Sequence, residues 1–164
     1  MPYWQFYYHL VWATKRRDPI IDEVVIDVIG RVIKDACRQH EAIPHAVGFM
    51  PDHMHVAVSI PPKVAVADFI GKIKGKSSFE LNQTRSATRG HFQWQTEYGA
   101  LSFGEKSLAS VVAYVKNQAI HHAENTLWPS FERLDNLAIR SPRSNPYLIF
   151  PTPTRTQPPP LRLS

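Results

Sequence analysis

The chain has 164 residues, 43% of them apolar and 11% aromatic, and carries a net charge of +5. This is enough for one globular domain with its own core, and the composition excludes a disordered or collagen-like chain. No run approaches the ~20 apolar residues of a membrane span, and the opening MPYWQFYYHL lacks the basic start and small-residue cleavage site of a secretory signal.

The stretch YWQFYYHLVWATKRR is aromatic and β-rich and predicts a first strand, which leaves through the basic triplet Lys15-Arg16-Arg17. Asp18-Pro19 then reads as a helix start. From there Ile21, Val24, Val25, Val28, Ile29, Val32, Ile33, Ala36 and Cys37 recur as the i, i+3, i+4 stripe of a long amphipathic helix. Cys37 is the sole cysteine, so it has no disulfide partner and serves as buried filler; the cytoplasm is the expected compartment. PHAVGFM and HMHVAVSI predict two short strands joined through Pro51-Asp52, and PPK ends the second. VAVADFIGKIKGKSSFELN carries a helical stripe of Val66, Phe69, Ile70, Ile73 and Leu81, weakened by Gly71 and Gly75. Phe92, Trp94, Thr96 and Tyr98 alternate as in a strand. A third helix spans GEKSLASVVAYVKNQAIHHAEN, with Leu108, Val111, Val112, Val115 and Ala119 toward the core.

The order β-α-β-β-α-β-α predicts an α+β fold. Its first six elements match the ferredoxin-like or RRM-like plan, an antiparallel sheet with helices on one face, and a late helix follows. Seven of the 14 prolines fall between Pro142 and Pro160. Residues 1–139 therefore read as the domain, and 140–164 as a proline-rich basic tail, expected to be disordered. Arg140, Arg143, Arg155 and Arg162 all follow the last acidic residue, and without them the net charge falls to +1. Overall charge thus says little about the domain. Local clusters say more: Lys15, Arg16 and Arg17, and Lys72, Lys74 and Lys76, are candidates for contacts to nucleic-acid phosphates.

Two patterns carry chemistry. In HMH, strand alternation places His53 and His55 on one face, about 7 Å apart, where two neutral imidazoles can grip one metal ion. In YVKNQAIH, helical spacing brings Tyr114, Gln118 and His121 to one side, while His122 falls nearly in line with the buried stripe. Two histidines and the Gln118 oxygen can hold a hard divalent ion with open positions. A tyrosine one turn away can then attack a phosphorus polarised by that ion. Each pattern alone also fits an ordinary polar surface.

Together these stretches resemble the single-tyrosine transposases of the HUH endonuclease superfamily, the insertion-sequence enzymes and their REP-associated relatives. YYHLVWATKRRDPII, GFMPDHMHVAVSIPPK, IGKIKGKSS, WQTEYGALSF and YVKNQAIHH run in the family's order and cover most of residues 5 to 125. The resemblance implies that His53 and His55 are the HUH pair, Gln118 the third metal ligand and Tyr114 the nucleophile. It implies Mg²⁺ or Mn²⁺ as cofactor. Separately from the resemblance, a neutral phenol is a weak nucleophile that needs a base, and His121 on the same helix side is an accessory candidate, a surface position being its other reading. The resemblance further implies cleavage of single-stranded DNA to a 5′-phosphotyrosine and a free 3′-OH, with rejoining that needs no ATP. The expected partners are hairpin-bearing single-stranded DNA and a second copy of the chain, with the tyrosine helix supplied in trans in composite sites. Nothing in the motifs gives the proline-rich tail a role. Two other readings use the same features. One is a non-catalytic nucleic-acid-binding module that stacks bases on Tyr7, Trp12, Trp94 and Tyr98. The other is a metal-dependent phosphodiesterase with water as nucleophile and Tyr114 incidental.

Overall fold

The computed structural model describes residues 3–84 and 90–134. Four strands, β1 (Tyr7–Ala13), β2 (Ile43–Phe49), β3 (His53–Ser59) and β4 (Gly99–Phe103), form one sheet in the order β2-β3-β1-β4. Every neighbouring pair is antiparallel. Helix α1 (Glu23–His40) links β1 to β2, and α2 (Val66–Thr84) links β3 to β4. This is the expected ferredoxin-like arrangement.

The alternation of β1 and β3 divides the core in two. Leu10 and Trp12, with Met54, Val56 and Val58, point to the face covered by α1 and α2, where Val25, Ile29, Val32, Ile33, Phe69, Ile70, Ile73 and Leu81 complete the main cluster. Burial of such side chains supplies about 1.5–3 kcal/mol each, and this layer holds the fold. Cys37 is buried there as expected, and burial pushes its thiol up to about 11. The opposite face carries a smaller cluster of Ala46, Ala57, Val111 and Val115. There the late helix α3 (Leu108–Lys116) lies on β2 and β3. It approaches closely at Gly48: a Cβ at that position would sit 2.1 Å from the Val115 carbonyl oxygen. Any side chain at residue 48 would push α3 away from the sheet.

Three boundaries differ from the sequence expectation. Helix α1 begins at Glu23 rather than after Asp18-Pro19, with the Asp22 side chain accepting the Val25 N–H at 3.0 Å. The reason is long-range: the Ile21 N–H is committed to the Pro51 carbonyl at 2.9 Å, which keeps the preceding segment out of the helix. The alternation in 92–98 is not a strand either, since β4 starts at Gly99 and only Trp94 bridges to Thr14. Phe92 and Trp94 are instead drawn in by α2. Asn82 exchanges hydrogen bonds with both backbone groups of Phe92, and Trp94 Nε1 donates to Ser77 Oγ. Third, the last helix is broken. Asn117, at φ −102° and ψ 25°, separates α3 from α4 (Gln118–Glu124). The expected tail, 140–164, lies outside the described residues. Among the described residues no helix is long and apolar enough to cross a membrane.

Candidate active site

Strand β3 is buried along its whole length, so its two histidines lie in the interior rather than on a solvated face. His55 pairs across the sheet with Val11 and with Gly48, and His53 with Ala13, which turns both imidazoles toward α3 and α4. Each has its Nδ1 engaged. His53 Nδ1 lies 2.5 Å from Asp52 Oδ1, and the other Asp52 oxygen is held by Arg17 Nε at 2.9 Å. His55 Nδ1 lies 2.9 Å from His9 Nε2. Both Nε2 atoms are buried and have no hydrogen-bond partner among the described residues. Burial holds both histidines below the usual imidazole range, His55 down to about 2, where the neighbouring histidines add to the effect; for His53, Asp52 pulls the other way. Neutral imidazoles with free lone pairs are what a metal requires.

Beyond α4 the chain turns back at Asn125, in the left-handed region at φ 54°, and brings Trp128, Phe131 and Glu132 over the same face. Glu132 Oε2 stands 3.7 Å from His53 Nε2, 3.6 Å from His55 Nε2 and 4.0 Å from His122 Nε2. One ligand atom from each of these four residues lies within 4.8 Å of the others, a spacing that suits one metal ion. The other Glu132 oxygen, Oε1, accepts a hydrogen bond from the Tyr114 hydroxyl at 2.5 Å. That hydroxyl also accepts from the Trp128 N–H at 3.1 Å. Burial and the Glu132 carboxylate push the phenol up to about 12, so the resting tyrosine is neutral.

Gln118 is buried beside Tyr114, donating from Nε2 to the Tyr114 carbonyl at 3.2 Å, and its Oε1 has no partner among the described residues. A buried amide oxygen without a donor suits a cation. Of the six buried polar side-chain atoms without a hydrogen-bond partner among the described residues, Trp12 Nε1 and His9 Nδ1 lie apart from the cluster's ligand atoms; the other four, His53 Nε2, His55 Nε2, His122 Nε2 and Gln118 Oε1, are metal-ligand types whose chemistry fits a hard or borderline divalent ion.

A family model described as "Transposase IS200 like" matches residues 2–118, well over half of the chain. This chain belongs to that family. The transposase is 28% identical over 119 residues to the ISDra2 transposase TnpA of Deinococcus radiodurans, a match spanning 70% of this chain and 85% of the relative. The IS200 element transposase of Salmonella typhimurium is also 28% identical, across 78% of its length. Among solved structures, a candidate transposase from Deinococcus radiodurans superimposes with a TM-score of 0.55 at 27% identity, covering 72% of this chain and 95% of that one. A REP-associated tyrosine transposase bound to a REP hairpin gives a TM-score of 0.56 at 15% identity, covering 74% of each chain, and shares the fold.

Of the residues singled out in the sequence, the transposase brings His53, His55, Tyr114 and Gln118 to one buried place. His121 stacks on the Tyr114 ring, with centroids 4.8 Å apart, and its Nδ1 meets Thr126 Oγ1 rather than the phenol hydroxyl. Sequence reasoning missed His122, Glu132 and His9. On a straight helix His122 lies ~80° round from Tyr114, and periodicity assigned it to the core stripe. Glu132 lies past the recognisable motifs and past the matched segment, so no local signal marked it.

The basic residues divide. Of lysines at i, i+2 and i+4 of a helix, the first and last share a face and the middle one does not. Lys72 meets His40 at 3.3 Å, and Lys76 meets Asp35 at 3.1 Å, both toward α1. Lys74 turns the other way, to the carbonyls of Thr96 and Glu97. Lys15 bonds Gln93, and with Lys74 it lines a groove of about 580 Å³ whose wall is the 91–97 segment. Arg16 sits in a one-turn 3-10 segment with φ 59°. Lys15, on the groove's lining, follows two residues after Ala13, the last residue of β1 and the strand partner of His53.

Proposed function

We propose that this transposase cuts and rejoins single-stranded DNA at hairpin-marked element ends through a 5′-phosphotyrosine on Tyr114. The single observation that carries the reading is the double contact of Glu132. One carboxylate touches the Tyr114 hydroxyl with Oε1 and faces three metal-type imidazoles with Oε2. Nucleophile and metal ligands of the same chain therefore lie within the span of one carboxylate.

His53, His55 and Gln118 would hold Mg²⁺ or Mn²⁺, with His122 and Glu132 in reach of the same place. When bound, the ion supplies positive charge that polarises the scissile phosphate and stabilises its developing negative charge. The chain's own residues do the rest. Tyr114 Oη attacks phosphorus, the bond from phosphorus to O3′ breaks, and the 3′ oxygen leaves and takes a proton from water to become a hydroxyl. Glu132 already accepts the phenol hydrogen bond and is placed to take the proton. Tyr114 is only 1% exposed, so Trp128, Phe131 and Glu132 must yield before a phosphate reaches it. A dimer with the hairpin as partner, and a tyrosine helix supplied in trans, belong to the same reading. Residues 140–164 carry none of these groups, and we assign them no part in cutting.

Burial argues against the base-stacking module. Tyr7 and Trp12 belong to the core, and α3 covers the sheet face that RNA-recognition domains use. The phosphodiesterase reading is decided by experiment. Wild-type protein incubated with labelled single-stranded hairpin DNA and Mn²⁺ should carry the label on a denaturing gel. Cleavage without a protein-linked label would make water the nucleophile and replace this proposal.

The basic segments should contact DNA phosphates, with Lys15 and Lys74 supported by their shared groove. Neutralising Lys15, Arg16 and Arg17, or Lys72, Lys74 and Lys76, should weaken hairpin binding. The salt dependence should flatten by up to ~0.9 log units of slope per lost contact on duplex. An unchanged slope in both sets would move the contacts elsewhere.

A further inference from the structure

The two histidines of the HUH pair are oriented by different means, and only one of them is unambiguous. A neutral imidazole carries one N–H, so the group at Nδ1 decides what Nε2 can do. For His53 that group is the Asp52 carboxylate, kept in place by Arg17. An ionised carboxylate only accepts, so the His53 proton is on Nδ1 and the Nε2 lone pair is free. For His55 the group is another imidazole, His9, which can either donate or accept.

The placement of His9 follows from strand register. His9 pairs with Ala57, two residues beyond His55 on β3, which makes His9 and His55 diagonal neighbours on the face under α3. Both rings are buried, their Nε2 and Nδ1 atoms are 2.9 Å apart, and His9 stacks on Phe131 with centroids 4.2 Å apart. If His9 donates from Nε2, the His55 proton moves to its own Nε2, facing Glu132 Oε2 at 3.6 Å, and the atom is closed to a cation. If His9 accepts, the His55 proton sits on Nδ1 and the Nε2 lone pair faces the cluster. The hydrogen bond survives in both arrangements, but only one leaves a ligand.

We infer that His9 is a positioning residue of the site: protonated on Nδ1, it accepts from His55 Nδ1 and so fixes the His55 tautomer that can bind a divalent cation. This rests on the divalent-ion reading above. It gives the first strand a role beyond packing.

Two measurements on the full chain test it. In the Mg²⁺-loaded protein, long-range ¹H–¹⁵N spectra of the imidazoles should show His55 and His9 both protonated at Nδ1. A proton on His55 Nε2 in the loaded protein overturns the inference. Mn²⁺ titration followed by electron paramagnetic resonance should show about 10- to 100-fold weaker binding in His9→Phe. Phenylalanine keeps the stacking on Phe131, and circular dichroism should confirm the fold. His9→Gln offers an amide oxygen to the same N–H and should recover most of the affinity. Equal binding by wild type and His9→Phe, or a glutamine variant as weak as the phenylalanine one, overturns the role of His9 alone. Absence of Mn²⁺ uptake by the wild type overturns the divalent-ion reading and this inference with it.

Discussion

Tyr114→Phe is expected to abolish both strand cleavage and the covalent protein–DNA adduct while leaving hairpin binding intact. The change removes one oxygen from a ring that is packed between His121 and Trp128, with centroids 4.8 and 4.7 Å away, so the shape of the site is preserved. It also removes two hydrogen bonds, to Glu132 Oε1 and from the Trp128 N–H. Their loss should cost about 1–3 kcal/mol of stability, less where solvent reaches Glu132, and a thermal melt should register it as a modest shift. Among the described residues the other tyrosines do not compete. Tyr7 packs against His45 and Phe103 at the far end of the same face, Tyr98 precedes β4, and neither meets the histidine cluster. The assay is the denaturing gel with labelled single-stranded hairpin and Mn²⁺. A phenylalanine variant that still becomes labelled would remove Tyr114 from its role. Because burial and Glu132 push the phenol up to about 12, deprotonation belongs to the reaction and not to the resting state. A loss of cleavage therefore reports the missing nucleophile rather than a lost charge.

The sheet and its helices were legible because the periods are clean. In α1 the stripe from Val25 to Cys37 faces the core as the i, i+3, i+4 spacing requires. The fourth strand was misplaced by the same logic. Phe92 and Trp94 alternate with polar residues as a strand would, yet they are anchored singly by Asn82 and Ser77 of α2. Side-chain hydrogen bonds to an irregular segment imitate period two, and no pattern within 92–98 distinguishes the cases. At the site, His53 and His55 were readable from the alternation of one strand, and Tyr114 and Gln118 from a helical-turn spacing that survives the break at Asn117, where Gln118 still bonds the Tyr114 carbonyl. Glu132 and His9 were not, for opposite reasons. Glu132 reaches the cluster only because the chain reverses at Asn125, a tertiary event with no local signature. His9 sits in a strongly apolar strand, where one imidazole reads as a tolerated polar residue until the antiparallel register sets it beside His55.

Replacing both His53 and His55 with alanine should eliminate Mg²⁺- or Mn²⁺-dependent cleavage down to background, with the fold retained. The argument for loss of function is that the two Nε2 atoms are buried lone-pair donors with no other partner among the described residues, and alanine offers no ligand atom. Gln118, His122 and Glu132 then remain, but without the rigid β3 strand to fix two ligands at once. The argument for retention of fold is that both imidazoles face the smaller core cluster. Met54, Val56 and Val58 on the opposite face of β3 keep the main layer intact. The exchange does carry a cost. It leaves space beneath Tyr114 and strands His9 Nε2, while Asp52 keeps Arg17. A destabilisation of a few kcal/mol is expected from the cavity and the unpaired nitrogen together. Circular dichroism and hairpin binding measure what remains of the fold, Mn²⁺ titration measures the site, and the gel measures cutting. A folded double variant that binds no Mn²⁺ and cuts nothing is the expected outcome. One that cuts at the wild-type rate would show that phosphate activation does not pass through these histidines. The charge that stabilises the transition state would then have to come from protein cations, and Arg17, which is tied to His53 through Asp52, is the one to test.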